Sequence, residues 1–326
     1  MRLLIALACL LATSCGSPPH AKEAQSERLV EAPYIWRRLN EQAPYPKSYN
    51  FPVHRAADGA FIALHPRGTW RSTDGVAWAP TPLPAAVLNA AYMNYVFHEG
   101  ASWALGRHTG NYQKFEIDPL ILRTRDHQAW ETVGRAQSFP PVVFSAAASF
   151  QGALWILGGF DGARHRASVW RSTDGIAWSE AVQAAPWSAR AGAKAIVFNN
   201  RLYLIGGGLI DGASANDVWS SADGIDWRRE TEAIAPEQPV GFTPVVFDQQ
   251  IWLVGANRSG QFSSEMLVSR DGAHWRAVSA PWSPRGGVAA WTDGQSLFIT
   301  GGKYSVERNG ETEFMYSNDV WRMRAR

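Results

Sequence analysis

The chain has 326 residues, of which 46% are hydrophobic and 18% are charged, a composition typical of soluble globular proteins rather than disordered or membrane-spanning ones. Its 31 Lys and Arg residues against 29 Asp and Glu leave a formal net charge of +2, so the charge balance does not favour nucleic-acid binding. The 16 Trp and 29 Gly residues predict short aromatic strands separated by tight turns.

The first segment has the features of a bacterial export signal. Arg2 precedes an apolar run at residues 3–12 that is too short to span a bilayer stably, and small residues follow up to Cys15. Residues 12–16 resemble the lipoprotein box, which implies a signal peptide over 1–14, lipidation of Cys15 and a flexible tether over 15–33. The expected location is the outer membrane or another surface facing the periplasm. Ala12 replaces the usual branched aliphatic residue, and an unmodified, secreted form is the alternative.

From residue 34 onward, one unit of about 50 residues recurs. The Trp that closes the unit appears at Trp78, Trp130, Trp178, Trp227 and Trp275, in steps of 52, 48, 49 and 48 residues. This period is typical of four-stranded propeller blades. The second strand of the unit recurs six times, which predicts six blades; the copies are Phe61–His65, Trp103–Gly106, Trp155–Gly159, Tyr203–Gly207, Trp252–Gly255 and Phe298–Gly302.

The fourth strand of the last blade does not follow Trp321, since the sequence stops at Arg326. Its counterpart is at the other end, where residues 36–38 resemble residues 227–229. We therefore expect residues 34–326 to form one all-β, six-bladed propeller in which the N-terminal strand completes the last blade. Closure of this kind leaves no unpaired edge between the first and last blades.

Two motifs carry a family resemblance. Gly-Gly after an aromatic strand, followed by Asn-Asp-Val-Trp at 216–219 and again at 318–321, resembles the kelch repeat. The turn Ser-x-Asp-Gly-x-x-Trp looks like a shortened Asp-box; the copies are 72–78, 172–178, 221–227 and 269–275, with a degenerate copy at 124–130. The resemblance covers about residues 34–326 and implies a kelch-like propeller of the galactose-oxidase type. It specifies architecture better than activity.

The repeated Trp and Asp residues are expected to be structural. Aromatic residues that recur at the blade period are predicted to pack between neighbouring sheets. The Asp residues each precede Gly in a turn, where Asp bonds the backbone and Gly adopts positive φ; they are Asp74, Asp174, Asp223 and Asp271. Their even spacing around the ring separates them too widely for a catalytic carboxylate pair.

No metal or cofactor site is predicted. The histidines are scattered over the repeats and show none of the short His spacings that bind metals. The only cysteine besides Cys15 is Cys9, within the predicted signal, so the propeller itself has no thiol.

We expect the ligand site at the mouth of the central funnel. There, the loops between strands two and three meet those that lead from strand four into the next first strand. Arg190 and Arg285 occupy the funnel-mouth position of their repeats. In kelch domains such an Arg often faces the central pocket, and a guanidinium suits a carboxylate or phosphate. Alternatively, this Arg belongs to the repeat and fixes the loop by bonding backbone carbonyls.

The longest funnel-side loops, at 107–118 and 303–318, add basic and aromatic candidates, and blade three adds others. The further candidate ligand-binding residues are Arg107, Tyr112, Arg164 and Lys303.

Two functions from different classes are compatible with these features. Because no catalytic constellation stands out, the first is a non-catalytic, monomeric envelope protein that holds an acidic glycan, peptide or partner protein and contacts the membrane only through its lipid. The second is a carbohydrate isomerase, since the architecture is similar to the sialic acid mutarotases of Gram-negative bacteria. That resemblance implies that Arg190 and Arg285 hold a sugar carboxylate while His108 or His165 transfers protons.

Overall fold

The computed structural model describes residues 34–82, 94–111, 114–135, 142–210 and 212–326, with side chains given for all of these except 106–111, 114–117 and 119. The predicted signal and the tether with Cys15 therefore lie outside the described residues. Within the described ranges every regular element is a β-strand, and no helix is long and apolar enough to cross a membrane.

Six four-stranded antiparallel sheets, here called blades 1 to 6, make up most of the described chain. The N-terminal strand is β1 (Tyr34–Asn40). Blade 1 contains β2 (Val53–Arg55), β3 (Phe61–His65), β4 (Gly68–Ser72) and β5 (Ala79–Thr81). Blade 2 contains β6 (Asn94–His98), β7 (Ala101–Asn111), β8 (Lys114–Thr124) and β9 (Glu131–Arg135). Blade 3 contains β10 (Ala146–Phe150), β11 (Ala153–Leu157), β12 (Val169–Ser172) and β13 (Ser179–Val182).

The second half of the chain follows the same order. Blade 4 contains β14 (Lys194–Phe198), β15 (Arg201–Ile205), β16 (Val218–Ser221) and β17 (Trp227–Thr231). Before blade 5 comes β18 (Pro239–Val240). Blade 5 contains β19 (Thr243–Phe247) and β20 (Gln250–Val254), then, after the inserted β21 (Ala256–Arg258) and β22 (Gln261–Ser263), β23 (Met266–Ser269) and β24 (Arg276–Val278). Blade 6 contains β25 (Ala289–Thr292), β26 (Ser296–Thr300), then, after the inserted β27 (Lys303–Arg308) and β28 (Glu311–Tyr316), β29 (Val320–Ala325).

The two ends of the chain close the ring. Strand β1 pairs with β29 as the outer strand of blade 6, with Trp36 opposite Met323, which confirms the predicted closure. The first strands of successive blades contact one another from β6 through β10, β14, β19 and β25 to β2. The circle is completed by His54 of β2 and Tyr95 of β6, whose ring centroids are 6.4 Å apart. The innermost strands thus surround one central space.

The core lies between neighbouring blades. One cluster joins Trp155 of blade 3 to Leu202 of blade 4, and another joins Trp103 of blade 2 to Trp178 of blade 3. Trp103, Trp155 and Trp178 are all buried. Aromatic side chains at the repeat period therefore pack between the sheets, as the sequence predicts.

The turns before the fourth strands are stabilised by their own side chains. In blade 3, Asp174 Oδ1 accepts from the amides of Ile176 and Ala177 at 2.8 Å each, and Trp178 Nε1 donates to Gly175 O at 2.8 Å. The same bonds to Asp occur in blades 1, 4 and 5, and in blade 2 around Asp126. These carboxylates satisfy backbone donors.

The glycine of this turn lies against an aromatic ring of the preceding blade. A Cβ added to Gly224, whose φ is +81°, would be 2.3 Å from the ring of Trp155. Blade 2 has His127 at this position, with φ of 59°. Trp155 lies opposite Arg171 of the third strand. At the equivalent position of blade 1, which precedes His127, the residue opposite Arg71 is Ile62. The imidazole ring of His127 in blade 2 therefore coincides with an aliphatic side chain, instead of an aromatic ring, at the equivalent position of blade 1.

The two long segments that the sequence predicts as loops contain hairpins instead. Strands β7 and β8 continue beyond the blade, with Arg107 opposite Asp118, and β27 pairs with β28. The turn of the second hairpin is Asn309-Gly310, with φ of 54° and 79°. Asn-Gly with positive φ at both residues is the preferred two-residue hairpin turn, so the sequence contained this signal.

Candidate functional site

A central cavity of about 880 Å³ is lined by residues from all six blades. Both loop classes expected at the funnel contribute, the segments before the first strands and the insertions between strands two and three. The polar side chains at its wall include Asn50, Asn94, Ser145, Thr243 and Asn257. Among the described lining residues, the charged side chains are two lysines, Lys194 and Lys303, and none is a carboxylate. Its electrostatics therefore favour an anion.

Backbone hydrogen bonds join the blades around this cavity. In each blade where it is described, the residue two positions before the inner end of the first strand has a positive φ, and we call this place the entry position. The described entry residues are Asn50, Phe144, Gly192, Gly241 and Gly287, with φ between 54° and 70°. Asn50 N donates to Gly287 O at 2.7 Å, Gly287 N to Gly241 O at 2.6 Å, and Gly192 N to Phe144 O at 2.7 Å. The left-handed conformation is thus part of how the blades are connected.

Lys194 begins the first strand of blade 4 and faces the cavity. The equivalent residues of the other blades, which with Lys194 form the inner ring, are Pro52, Asn94, Ala146, Thr243 and Ala289. Lys194 is half-buried, and within the described chain it has neither a hydrogen bond nor an ion pair. Desolvation by the surrounding protein lowers the pKa of its ammonium from 10.5. An unpaired, desolvated ammonium gains free energy from an anionic partner.

Lys303 begins the blade 6 hairpin at the cavity wall, where aromatic rings surround it. Its Nζ lies 3.6 Å from the ring centroid of Phe314 and 5.6 Å from that of Tyr49. Tyr49 in turn stacks on Tyr316, with centroids 5.4 Å apart and an interplanar angle of 27°. Phe314 is 52% exposed. The rim thus combines a cation with apolar ring faces.

Arg190 and Arg285 are used inside their blades. Arg190 is 1% exposed, and all five of its N–H groups have partners. Its Nη atoms donate to both carboxylate oxygens of Asp217, at 2.5 and 3.0 Å, and to Gly206 O and Ser188 Oγ, while Nε donates to Ser188 O. Arg285 repeats this set with Asp319, Gly301 and Ser283. Neither arginine lines the cavity.

These contacts match the second role considered for the two arginines, fixing the loop within the repeat. They also explain the Asn-Asp-Val-Trp motif. Asp217 accepts from Trp219 Nε1 at 2.8 Å as well as from Arg190, and Arg190 holds the pKa of that carboxyl below its usual range against the effect of burial. Asn216 Nδ2 donates to Ala235 O at 2.6 Å. The same Arg and Asp occur together in two blades, and we call each pair a blade brace: Arg190 with Asp217 in blade 4, and Arg285 with Asp319 in blade 6.

Two of the other candidates, Arg164 and His165, lie between the second and third strands of blade 3. His165 Nε2 accepts from Ile210 N at 2.9 Å and thereby supports a loop whose Leu209 and Ile210 line the cavity, but His165 itself is not a lining residue. Arg164 is exposed and lies 3.9 Å from Asp161. Arg107 and His108 lie in residues 106–111 of β7, whose side chains are not described, and Tyr112 lies outside the described residues.

No group of three or more His, Cys, Asp or Glu side chains that could hold a metal occurs within the described ranges. Sequence reasoning brought Lys303 to the cavity but missed Lys194 and Phe144. A signal for both existed in the repeat alignment. Lys194 is the one cation of the inner ring, and Phe144 stands where three other blades have glycine.

Comparisons with known proteins agree with this architecture. The solved structure described as "Structure of YjhT" superposes with a TM-score of 0.69 over 86% of this chain and 96% of that chain, at 12% sequence identity, which shows a shared fold. A search of curated proteins found no match. A family model described as the DUF6242 beta propeller domain matches residues 21–244, more than half of the chain. The chain therefore belongs to the DUF6242 β-propeller family.

Proposed function

We propose that this propeller is a binding protein that holds an acidic glycan or an acidic peptide segment in its central cavity. The observation that best supports this proposal is the charge of the cavity wall, which has two lysines and no carboxylate among the described lining residues. Polar amides and hydroxyls beside them suit the remaining hydrogen-bonding groups of such a ligand, and the rings at the rim suit its apolar faces. The repeats that build the cavity are, in this proposal, of the kelch type.

The test is a thermal-shift and calorimetric screen of residues 34–326 with matched acid and neutral pairs. Glucuronate against glucose, sialic and muramic acids, and peptidoglycan fragments form the panel. An acid present at 100 times its dissociation constant should stabilise the protein by about 2.7 kcal/mol. The control variant is Lys194→Met/Lys303→Met, which removes the two charges of the described cavity wall and leaves the blade braces intact. Equal binding of glucuronate and glucose, or full binding by the double variant, would contradict the proposal.

The pH dependence of binding provides a separate test. Because burial lowers the pKa of Lys194, its ammonium loses its proton at a pH below that of an ordinary lysine. Affinity for an acid should therefore fall as pH rises through that lowered pKa, and Lys194→Met should lack this step. Lys194→Arg, which stays charged throughout, should bind with no decline over the same range. Isothermal titration from pH 6 to 10 measures this, and a parallel decline in the Arg variant would assign it elsewhere.

A second candidate function is the interconversion of sugar anomers by a mutarotase-like activity. It is favoured by the same lysine, since an amine with a lowered pKa can accept and return a proton nearer neutral pH. NMR exchange between anomer signals of sialic acid tests it. Exchange no faster than in buffer would exclude the activity for that sugar.

We also propose export and lipid anchoring through Cys15. The supporting features are the short apolar run and the small residues before Cys15. Labelling with an alkyne fatty acid should modify the full chain expressed in a Gram-negative bacterium and should fail for Cys15→Ala. Equal labelling of the two would contradict anchoring at this residue.

A further inference from the structure

The outer edge of blade 6 has two arginines directly opposite each other. Strands β1 and β29 pair with Arg37 opposite Arg322, and like charges at opposite positions destabilise an antiparallel strand pair. Burial, and then the charges of Arg324 and Arg37, lower the pKa of the Arg322 guanidinium. Asp293 acts in the opposite direction but, like Arg37 and Arg322, has no ion pair within the described ranges. The edge therefore keeps a positive charge that the fold does not neutralise.

Blade 4 has the same strand pair with a balanced charge. Arg228 there lies opposite Ser220, and Glu230 accepts hydrogen bonds from both side chains, the one from Arg228 Nη2 at 2.9 Å. At the matching positions blade 6 has Arg322 instead of Ser220 and Leu39 instead of Glu230. Blade 6 has thus gained a cation and lost a carboxylate where another blade of the same chain is neutral.

An exposed aliphatic side chain lies beside these charges. Ile35 is 55% exposed and precedes Arg37 by two residues, so the two side chains share one face of β1. Its cross-strand neighbour is Arg324, which is exposed and donates from Nε to Ser296 Oγ at 3.0 Å. We call Ile35, Arg37, Arg322 and Arg324 the edge patch. It combines three cations with one exposed apolar side chain.

The edge patch lies next to the point where the predicted tether joins the propeller. Tyr34 is the first residue of β1, and the tether predicted over 15–33 leads to it from Cys15. Strand β1 is the outermost strand of blade 6, whereas the cavity lies inside the ring of innermost strands. A surface in contact with the patch would therefore meet the propeller at its perimeter and not at the cavity.

We propose that the edge patch is a docking surface for an anionic phospholipid bilayer, with its arginines on the lipid phosphates and Ile35 inserted among the headgroups. Guanidinium groups suit phosphate oxygens, and those of Arg37 and Arg322 have no competing carboxylate within the described ranges. The inference rests on the proposed lipid anchoring, which would bring the patch to a membrane. It goes beyond the expectation that only the lipid contacts the membrane, since the patch would fix the orientation of the anchored propeller.

Co-sedimentation with lipid vesicles measures this contact separately from the anchor. The ring closes within residues 34–326, which contain neither Cys15 nor the tether, so any binding belongs to the propeller itself. Vesicles of phosphatidylglycerol mixed with phosphatidylethanolamine are compared with vesicles of phosphatidylcholine at low ionic strength, because salt screens exposed charges. Heparin, measured by calorimetry, serves as a polyanion that has no bilayer.

The wild type should bind the phosphatidylglycerol vesicles and not those of phosphatidylcholine. Arg37→Gln/Arg322→Gln should weaken this binding about 25-fold, roughly fivefold for each arginine, while its melting temperature stays the same or rises because the like-charge pair is gone. The control Arg228→Gln/Arg229→Gln removes the same charge from blade 4, where each arginine is paired with a glutamate, and should bind as the wild type does. Ile35→Ser should weaken vesicle binding about threefold and leave heparin binding unchanged.

Equal losses in the two double variants would overturn the inference, because binding would then follow net charge alone. It would also be overturned if Ile35→Ser had no effect and heparin bound as tightly as the vesicles, which would indicate a soluble polyanion. If the wild type binds no anionic vesicle while Cys15 is still labelled with fatty acid, the docking surface fails and the anchoring stands. If the vesicles bind as expected but Cys15 is not labelled, the surface is supported and the anchoring fails.

Discussion

The outer turns of the blades and the inner ring of the cavity are parts of the same repeat, yet they differ in how much they vary. The turns at Asp74, Asp174, Asp223 and Asp271 make the same two bonds to backbone amides. The inner ring holds proline, asparagine, alanine, lysine and threonine at one structural position. Each turn closes the same kind of hairpin, whereas five of the six inner residues, all but Ala289, line different parts of one cavity. Repeat-wide identity thus indicates structure, and departures from it indicate the site.

The largest effect is expected at the closing Trp of an outer turn. Trp178 is 4% exposed and packs with Trp103 and Ile156. Trp178→Ala should lower the free energy of unfolding by about 3–5 kcal/mol through the cavity it leaves. Urea denaturation measures this change, with Trp178→Phe as the control that retains most of the volume. Stability equal to wild type would show that Trp178 does not contribute to the core.

The blade braces give the next effect and test whether Arg190 is structural. Arg190→Met leaves Asp217 without its buried partner and should cost about 3 kcal/mol. Adding Asp217→Asn should recover part of that loss, since the uncompensated charge is then gone. Arg164→Met, at an exposed arginine of the neighbouring blade, should change stability by less than about 0.5 kcal/mol. A stable Arg190→Met that loses acid binding would instead favour ligand contact.

Blade 2 tests the structural role of the outer turns, because its turn has His127 where the other turns have glycine. His127→Gly should destabilise by about 1–3 kcal/mol, since it empties space that no aromatic ring of blade 1 fills. Combining it with Ile62→Trp should restore stability relative to His127→Gly, a favourable coupling measurable by a double-mutant cycle. If the two substitutions destabilise additively, the side chains at positions 62 and 127 do not fill the same space.

The smallest effect belongs to a single turn carboxylate. Hydrogen bonds from Ile176 and Ala177 lower the pKa of Asp174 in the folded protein. The ionised form therefore contributes stability above the unfolded pKa of about 3.9, and this contribution is lost as pH falls through the folded value. Asp174→Ala should cost about 1 kcal/mol at pH 7 and progressively less below pH 4. A cost independent of pH would show that the charge is not involved.

Much of the architecture was predictable because it repeats. The second strand predicted at Phe61–His65 is β3, and the N-terminal closure follows from the likeness of residues 36–38 to 227–229. The hairpin at Asn309-Gly310 also had a local signal, because Asn-Gly is the preferred pair for a two-residue hairpin turn. The partner of Arg190 had no such signal, since Asp217 is 27 residues away and the pair meets only when blade 4 has folded.

The sequence by itself determined the strand order, the turns and the ring closure, because these depend on local patterns that recur every 50 residues or so. Tertiary structure decided which cations are free to bind. Arginine and lysine both sit near the funnel in the repeat alignment, but Arg190 meets a carboxylate of its own blade while Lys194 meets none among the described residues. The difference arises from long-range pairing. Whether a charge is satisfied within the fold or left for a ligand depends on atoms that only the assembled blades bring together.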